Sequence, residues 1–582
     1  MPTPALAGDF QELEPHKPTS AAPFIQKTTV GDVPARGAPV TVPFITWAAD
    51  GVTLLANGGV ESGSSPLAKA LGGPVKLAQT DDFSSQVVDY IRGRSPFLRG
   101  TLGMISQVSE ALVAKDPKLE PVVIVQLSWS TGADGFVTRG VDELSALKGK
   151  SLVVQAYGPH LDLVQVLLRD AGLEPGDVTL RFVKDITATG GKGPPSDPAG
   201  ALRADTSLAA AACILPDLQA LTAGDKAVAG AEAILTTRTA SRVIADVYAV
   251  RRDVFEARKA DIRAFVAALL DQQHAVRGEL ANIARKEQAD KARVKAFKAR
   301  CAPLAKTFLQ DASLVNDYIL WLGIDSELAG LRGNRRFFAA KDNPVGFTAT
   351  ARRACEFFKA LGFLAEERAP ATAGWDWAKD FQGVRADKLE RRAGFESLQA
   401  ARSAAAGKDS RVLFRATFAF PAGDSALDWR EHREVFETIH DKVSRYGGAV
   451  VQLRGHADNY FFNVCRQKLK AGATTFRRKT DKGGWETVRL PMLEEVLNSA
   501  ARLSYERAFA MKAAYARYLV ERHGADAGDL HLARFDARGM GLSDPIHKHP
   551  VTTAERAENM RGELVIIAAE AEVATEFDFN DF

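Results

Sequence analysis

The stretch DELSALKGKSLVVQAYGPHLDLVQVLLRDAGLEPGDV, residues 142–178, decides the fold class of the first half of this chain. A lysine-glycine turn leads into the apolar run SLVVQA, small residues make the next turn, and HLDLVQVLLRD follows with the spacing of an amphipathic helix. The segment AGLEPGDV then leads into another apolar run. A strand, a helix and a second strand in this order form a βαβ unit, so we expect two parallel strands with a helix packed on their sheet.

Similar apolar runs recur on both sides of this unit. Between about residues 40 and 255 they alternate with helical segments, and they include VPFITWA, PVVIVQLSW, LRFVKDI and AAAACILPD. Short runs without polar alternation are typical of strands that are buried on both faces of a parallel sheet. From 253 to about 363 the pattern changes to long amphipathic helices. The predicted fold class is therefore α/β.

Composition and charge exclude several classes of protein. The 582 residues are 46% hydrophobic and 25% charged, which is typical of folded domains and not of disordered chains. The 75 basic residues nearly balance the 72 acidic ones, and the net charge of +3 does not indicate nucleic acid as a partner. No run of 18 apolar residues predicts a membrane-spanning helix.

Two features bear on the cellular compartment. The start, MPTPALAGDFQELEPHKPTSAAP, lacks the basic and apolar blocks of a signal peptide. Either the protein is cytoplasmic, or an export signal or anchor precedes this numbering. The cysteines, Cys213, Cys301, Cys355 and Cys465, form no CxxC motif and no metal-ligand spacing, so we expect buried thiols. A pair between Cys301 and Cys355 in an oxidising compartment is the alternative.

Changes of composition divide the chain into five segments. Residues 1–38 are rich in Pro, Ala and Thr and are predicted to form an extended tether, followed by the α/β module at 39–364. A polar linker is predicted at 365–409, a compact second unit at 410–572 and an acidic tail at 573–582.

The second unit has its own strand and helix pattern. Every second residue from Val412 to Phe420 is apolar, which predicts a half-buried strand. Two amphipathic helices follow, one with Phe436 and Ile439 on its inner face and one beginning near Ser504. The strand AVVQLRGHAD lies between them, and ELVIIAA closes the unit. This βαβαβ order predicts an α/β sandwich.

Short motifs in this unit resemble the OmpA-like peptidoglycan-binding domain: LRGHAD (453–458), LSYERA (503–508), DARGMGLSDP and RAENMRGELVII. The resemblance implies a pocket for diaminopimelate in the peptide stem, whose free end carries an ammonium and a carboxylate. Asp458 would accept from the ammonium, and Arg507, expected in the first turn of a helix, would hold the carboxylate with help from the helix dipole. Ser504, Asn559 and Arg561 complete the implied set, the last two as supports of the pocket. A turn cap at Asp458 and a solvated Arg507 are the alternatives.

The unit also departs from the family pattern. Ala457, Ala500 and Met560 replace residues that the family carries at these places. Residues 459–497 form an insertion that contains RQKLKAGATTFRRKTDKGGWETVR, with eight basic and two acidic residues and a DKGG turn. We expect a solvated hairpin, with contact to anionic envelope groups or a cover over the pocket as alternatives.

Residues from about 40 to 363 resemble periplasmic solute-binding proteins of the nitrate, sulfonate and thiamine-precursor type. The stretch quoted first fits best, and FITWAADGVTLLANGG and ASRVIADVYAVRRDVF support it. The resemblance implies a two-lobed type II periplasmic-binding-protein fold, in which crossing strands join two α/β lobes that close on a ligand. Open α/β sheets bind at the carboxyl ends of their strands, which makes eight residues candidates: Trp47, Asp50, Trp129, Ser130, Tyr157, Gly158, His160 and Asp217.

These candidates have different expected roles. Gly158 and His160 stand just before a helix, where free N–H groups can receive an anion. Trp47, Trp129 and Tyr157 can stack on a flat ligand, with ordinary core positions as the alternative.

The resemblances together predict a solute-binding protein of the periplasm or cell envelope that peptidoglycan retains, with no catalytic residue, metal or cofactor. Its expected partners are peptidoglycan, a small solute and the permease of an ABC-type importer. The sequence contains no GxSxG, GKS/GKT, HExxH or CxxC motif. Two alternatives are a structural or signalling adaptor of the cell wall, whose lobed module binds a protein, and an enzyme that converts a small heterocycle in the cleft.

Overall fold

The structure is a computed structural model, and the chain forms two compact units that divide between Ala393 and Gly394. We call them unit 1 and unit 2. The described residues are 23–141, 143–188, 195–225, 227–285, 288–340, 342–385, 401, 405–406, 411–480, 483–524 and 534–568.

Unit 1 contains thirteen strands and fourteen helices among the described residues. The strands are β1 (Val40–Phe44), β2 (Glu61–Ser62), β3 (Val75–Gln79), β4 (Phe97–Thr101), β5 (Pro121–Ser130), β6 (Asp134–Arg139), β7 (Ser151–Gln155), β8 (Thr179–Val183), β9 (Leu208–Ile214), β10 (Ala231–Thr236), β11 (Ala245–Arg251), β12 (Ser326–Leu328) and β13 (Ala371–Thr372). The helices are α1 (Pro23–Lys27), α2 (Gly51–Asn57), α3 (Pro66–Leu71), α4 (Phe83–Ile91), α5 (Leu102–Lys115), α6 (His160–Asp170), α7 (Pro198–Ala204), α8 (Leu215–Thr222), α9 (Arg252–Ala257), α10 (Lys259–Ile283), α11 (Lys291–Leu309), α12 (Val315–Leu320), α13 (Gly330–Ala339) and α14 (Phe347–Ala360).

These elements form two α/β lobes, as the sequence predicts. The first lobe has a sheet of order β12-β5-β11-β4, with β13 also on β5, and a smaller sheet of order β1-β3-β2. The second lobe has one sheet of order β10-β6-β9-β7-β8. The chain passes between the lobes twice, from β5 to β6 and from β10 to β11. The two-lobed periplasmic-binding-protein fold class is confirmed.

The expectation of parallel pairing holds for only part of these sheets. β1 pairs with β3, and β7 pairs with β8 and β9, in parallel registers. The strands at the two crossings are different, because β11 is antiparallel to β4 and β5, and β6 is antiparallel to β9 and β10. A strand that enters a sheet from the other lobe needs no crossover helix, so nothing constrains it to run parallel to its neighbours.

Strand β5 lies at the centre of the first lobe. All ten of its residues are buried, which explains why PVVIVQLSWS lacks polar alternation. The core around it includes the long helices α10 and α11, with Phe265 against Phe97 and Tyr248.

Two predicted boundaries of this module are wrong. Residues 23–38 were expected in a tether, but Ile25 in α1 is fully buried, and the Gly31 carbonyl accepts a hydrogen bond from Arg251. Residues 365–384 were expected in a linker, but β13 extends the β5 sheet, and Trp375 donates to the Ile124 carbonyl at 2.9 Å. Buried aromatic side chains hold this polar-looking stretch on the lobe. The rest of the predicted linker and the acidic tail lie mostly or wholly outside the described residues.

All four cysteines are buried free thiols, which excludes the Cys301–Cys355 pair in this structure. Within the described ranges, no helix combines the length and the apolar character that a bilayer crossing requires.

Unit 2 is a smaller α/β sandwich. Its strands are β14 (Arg411–Ala419), β15 (Val450–Gly455), β16 (Thr475–Lys479), β17 (Trp485–Arg489), β18 (Arg534–Gly539) and β19 (Arg561–Ala568). Its helices are α15 (Arg433–Arg445), α16 (Tyr460–Lys470), α17 (Leu493–His523) and α18 (Thr553–Asn559). The sheet order is β14-β19-β15-β18, and β16 and β17 form a separate hairpin.

The predicted βαβαβ core is present with additions. The sequence reading missed β18, a polar edge strand parallel to β15, because edge strands need no continuous apolar run. The predicted alternation places Phe418 and Phe420 in the core, whereas Val412 is exposed beyond a β-bulge between Val412 and Phe414.

Candidate functional site

Unit 2 contains a cavity of about 410 Å³ at the carboxyl end of β15. Its wall is made by the segment after β15, the loop after β14, α17 and the region of α18. Asp458 and Arg507, which are 49 positions apart in the sequence, both line it. The other lining residues are Ala422, Gly423, Ala457, Phe461, Pro491, Glu495, Val496, Ser499, Ala500, Leu503, Arg556 and Met560.

The Asp458 carboxylate is held in place by neighbours from unit 2. Arg556 donates from Nε to its Oδ2 at 3.0 Å, and the Asn559 side-chain amide lies 3.5 Å from its Oδ1. The Arg556 guanidinium also lies over the Tyr460 ring, 4.2 Å from its centroid. These contacts leave further lone pairs on the carboxylate, so Asp458 can still accept a hydrogen bond from a ligand.

Arg507 is a fully buried cation, and no carboxylate of the described residues lies at hydrogen-bond distance from it. Its Nε, Nη1 and Nη2 each donate to a backbone carbonyl, at 2.6–2.9 Å, on Asp424, His456 and Pro421. Burial lowers the pKa of Arg507, while the charges of Asp424 and Asp458 raise it. A guanidinium has five N–H groups, so one hydrogen remains on each terminal nitrogen, which suits one bidentate carboxylate contact.

The helix that carries Arg507 begins earlier than predicted. The sequence reading started it near Ser504, but α17 begins at Leu493, so Arg507 is fourteen residues inside it and not in its first turn. LEEV, at the end of the predicted insertion, forms the first turn of this helix. Leu and Glu are good helix formers, and Glu495 completes a capping box with Met492. The prediction that N–H groups at a helix start lie beside Arg507 and help to bind the carboxylate is therefore wrong.

The remaining predicted wall-binding residues support the cavity from outside. Ser504 donates to the Ala501 carbonyl and accepts from the Gly541 N–H, and it packs where a Cβ on Gly539 would stand. Asn559 bridges to the backbone of His547 at 2.9 Å. Arg561 pairs with Glu563 on the same strand.

The insertion supplies a helix, a hairpin and part of the cavity wall. β16 and β17 pair antiparallel, as predicted, although two residues of the DKGG turn lie outside the described range. Phe461 on α16 lines the cavity and contacts Phe476 on β16, with ring centroids 5.7 Å apart. Trp485 is exposed near the tip, with Arg477 over its ring. Phe461 was not predicted as a wall residue, and nothing in the motif spacing indicates it. Arg556, the first residue of RAENMRGELVII, was expected to support the pocket, and it lines the cavity itself.

In unit 1, four of the eight predicted solute contacts, Trp47, Asp50, Ser130 and His160, belong to two polar clusters at the crossings. Arg99 donates to Asp50 at 2.6 Å and to Asp246 at 2.9 Å, and all three side chains are buried. Ser128 donates to Asp246 at 2.9 Å and accepts from the Trp47 indole at 3.0 Å. Burial raises the pKa of Asp50 to about 7 although Arg99 opposes this shift, and burial also raises the pKa of Asp246.

A second polar cluster lies beside the first crossing. Asp134 accepts from the Ser130 hydroxyl and lies 2.9 Å from Nε2 of His160. Thr237, after β10, is 3.1 Å from the Ser130 hydroxyl, so this cluster joins both crossings. Arg99, Asp134 and Asp246 were missing from the predicted set, because nothing in the sequence indicates that a strand arginine and two crossing aspartates converge.

The other candidates are packed into the protein. Trp129 meets Phe337 edge to face, with the Arg242 guanidinium 5.5 Å from its ring centroid. Tyr157 has a left-handed backbone with φ 55°, which is rare for a bulky residue, and its ring contacts Phe24 and Phe363.

The last two candidates, Gly158 and Asp217, lie at the starts of two helices of the second lobe. A Cβ on Gly158 would meet the end of the Gln155 side chain at 2.3 Å, so a larger residue there would require Gln155 to shift. Asp217 is in the first turn of α8, where burial raises the pKa of its carboxyl and a hydrogen bond from Thr187 opposes that shift.

A metal ion has no candidate site in the part of the chain that the structure describes, where no group of three or more His, Cys, Asp or Glu residues is suitably arranged.

Comparison with known proteins gives matches to solved structures only. No protein-family model and no curated protein matches the sequence. A periplasmic sulfonate-binding protein of an ABC transporter from Methylobacillus flagellatus is 15% identical, with a TM-score of 0.39, over 61% of this chain and 100% of that chain. The alkanesulfonate-binding protein from Xanthomonas axonopodis, bound to MOPS, is 13% identical, with a TM-score of 0.38, over 58% and 98%. The periplasmic nitrate-binding protein from Synechocystis is 15% identical, with a TM-score of 0.35, over 61% and 88%. These neighbours are periplasmic solute-binding proteins, and they align over about three fifths of this chain.

Proposed function

We propose that this chain is a solute-binding protein of the cell envelope whose unit 2 holds it on peptidoglycan. Unit 1 would close its two lobes on a small solute and present it to an ABC-type permease. Unit 2 would bind the diaminopimelate end of a peptide stem. The proposed compartment is the periplasm, and the proposed role is binding without catalysis.

The observation that carries the proposal is the placement of Asp458 and Arg507 in one cavity of about 410 Å³. An ammonium and a carboxylate on one carbon need an acceptor and a planar cation close together, and these side chains supply both. Arg507 keeps two N–H groups for the carboxylate, and Arg556 keeps the Asp458 carboxylate oriented. Arg507 also carries a buried positive charge that backbone carbonyls do not neutralise, which favours an anionic ligand group.

The solute-binding part of the proposal is supported by the architecture of unit 1. Two α/β lobes are joined by two chain crossings, and polar side chains from both lobes meet there. Ligands of such folds bind between the lobes at the ends of the strands. Trp47, Asp50, Trp129, Ser130, Tyr157, Gly158, His160 and Asp217 remain the proposed solute contacts.

Sedimentation of the full chain with purified sacculi tests the wall-binding part. We expect Asp458→Asn and Arg507→Lys each to lower the bound fraction by roughly tenfold or more, because Asn lacks the charge that pairs with the ammonium and Lys lacks the planar fork that holds the carboxylate bidentately. Arg502→Gln is the matched control on the same helix, since Arg502 is exposed and contacts only Glu506 among its described ion pairs. Circular dichroism verifies folding. Co-sedimentation of both site variants at the level of the control would refute the proposal.

One observation favours a second candidate function, the adaptor whose lobed module binds a protein. Asp50, Arg99 and Asp246 satisfy one another and are buried, as a permanently closed cleft requires. An adaptor should show no thermal shift with small solutes of any charge, whereas a receptor is stabilised by its solute.

A further inference from the structure

Asp162, which is not among the proposed solute contacts, connects the two lobes of unit 1. It is in the first turn of α6, in the second lobe, and its carboxylate packs on Gly103 in the first turn of α5, in the first lobe. A Cβ on Gly103 would collide with this carboxylate. The Thr101 side chain and the Gly103 backbone beside it lower the pKa of Asp162, against the effect of burial. The amino end of α5 is therefore already in contact with a carboxyl group that belongs to the protein.

This position matters because a helix start is where a two-lobed protein most easily binds an anionic solute group. Free N–H groups and the helix dipole both favour negative charge there. With Asp162 in place, an incoming sulfonate or nitrate would meet a carboxylate instead of free N–H groups. The contact thus disfavours anionic solutes.

The second carboxyl oxygen of Asp162 lacks a hydrogen-bond donor, and this indicates which kind of ligand group would bind there. The side chain is 6% exposed, and its Oδ2 has no hydrogen-bond partner. A buried carboxylate oxygen without a donor is costly, and a donor from a ligand would satisfy it. Burial raises the pKa of Asp162 to about 7, with Thr101 and Gly103 opposing the shift.

The charged side chains around Asp162 also favour a cationic ligand. Asp246 on β11 raises the pKa of Asp162, and Arg353 on α14 lowers it. The two clusters at the crossings add further described groups to this region: the carboxylates Asp50 and Asp134, the Arg99 guanidinium and the imidazole of His160. Arg242, which lies over the Trp129 ring, is paired with Glu327 and leaves the balance of charge unchanged. A bound cation would offset the excess of carboxylates.

We propose that the cleft selects a solute with a protonated amine over an anionic solute, and that Asp162 is the side chain that makes this selection. The inference rests on the proposed solute-binding function of unit 1. An ammonium would donate to Oδ2 of Asp162, and the adjacent carboxylates would stabilise its charge.

The selection has a pH dependence with a definite sign. Amine binding needs Asp162 ionised, and ionisation increases as the pH rises through about 7. We therefore expect amine affinity to rise about tenfold between about pH 6 and pH 8, since a group with a pKa near 7 changes its ionised fraction by that factor.

Calorimetric titration and thermal shift of the full chain test the inference. The probes are putrescine and choline as cations, and ethanesulfonate and nitrate as anions, at matched ionic strength. We expect both cations to bind more tightly than both anions, and Asp162→Asn to weaken cation binding by roughly tenfold. Asp225→Asn, an exposed carboxylate on the same lobe, is the control and should bind as wild type. Asp162→Ser replaces Asp162→Asn if the amide variant does not fold.

The outcomes separate this inference from the function on which it rests. Anion binding equal to or tighter than cation binding, or cation binding unchanged in the Asp162 variants, overturns the selection and leaves solute binding intact. Absence of binding by all four probes to wild type and variants overturns both and favours the adaptor. Sedimentation with sacculi is independent of either result.

Discussion

Arg99 in unit 1 and Arg507 in unit 2 are both fully buried arginines, but their charges are compensated differently. Arg99 lies between the carboxylates of Asp50 and Asp246, whereas the partners of Arg507 in the described part of the chain are backbone carbonyls. Burial lowers the pKa of each guanidinium, but at Arg99 the two carboxylates outweigh burial and raise it, while the pKa of Arg507 stays lowered.

This difference in partners distinguishes an internal ion pair at Arg99 from an arginine at position 507 whose charge can still bind an anionic ligand group. The Arg99 guanidinium is compensated by two carboxylates of the protein without a ligand, and these carboxylates titrate. The carbonyl partners of Arg507 do not titrate, and they leave its positive charge available to an anion in the adjacent cavity. Measurements of stability as a function of pH can therefore test whether the two arginines differ in this way.

The largest effect is expected for Arg99→Met. Removal of this cation leaves Asp50 and Asp246 buried without their partner, which should lower the free energy of unfolding of unit 1 by about 3 to 5 kcal/mol. The loss should grow above pH 7, because the two carboxyls must then stay protonated in the folded variant while they ionise in the unfolded chain. Urea unfolding of the full chain, followed by hydrogen exchange in unit 1, measures this. Arg94→Met is the matched exposed control, and a loss that is the same at pH 6 and pH 8 would contradict the electrostatic account.

A somewhat smaller effect is expected for Arg507→Met. Three carbonyls of unit 2 lose their donor, which should lower the free energy of unfolding of this unit by about 3 kcal/mol. Because carbonyls do not titrate, the loss should be equal at pH 6 and pH 8. The same urea experiment, read from unit 2, measures it with Arg502→Met as control. A pH-dependent loss would mean that Asp458 or Asp424 compensates Arg507 directly and that the contrast with Arg99 is incorrect.

The smallest effect, of opposite sign, is expected for Asp162→Asn without solute. Burial raises the folded pKa of Asp162 to about 7, far above its value in the unfolded chain, so wild-type stability falls as the pH rises toward 7. The variant lacks this penalty and should be more stable than wild type at pH 8, by about 1 to 3 kcal/mol, with little gain at pH 5. Thermal unfolding at both pH values measures the difference. A destabilised variant at pH 8 would show that the ionised carboxylate is well satisfied.

The strand pattern and short motifs were sufficient to predict much of this protein. Apolar runs such as PVVIVQLSWS indicate buried strands because a residue's burial follows directly from its hydrophobicity. The pairing of Asp458 with Arg507 in one cavity was predicted from the motifs LRGHAD and LSYERA by resemblance. The start of α17 was wrong by eleven residues, because the departure from the family pattern concealed an ordinary helix start at Leu493.

Contacts between distant segments were not predictable. Trp375 lies in a stretch of linker-like composition, and only its contact with Ile124 shows that it belongs to the lobe. Arg99 and Asp246 are 147 positions apart, and a sequence pattern reports neighbours along one element and not across a sheet.

Residue patterns alone were enough to predict most strands and helices, the division into a lobed α/β part and a smaller sandwich, and the absence of a charge imbalance that would indicate nucleic acid. These properties depend on local periodicity and composition, which each segment carries alone. Only the tertiary structure decided which buried charges meet, that Arg99 is neutralised while Arg507 is not, and that Asp162 lies against the start of a helix in the opposite lobe. Electrostatic compensation depends on distances of a few ångströms between segments far apart in the chain, and only folding sets those distances.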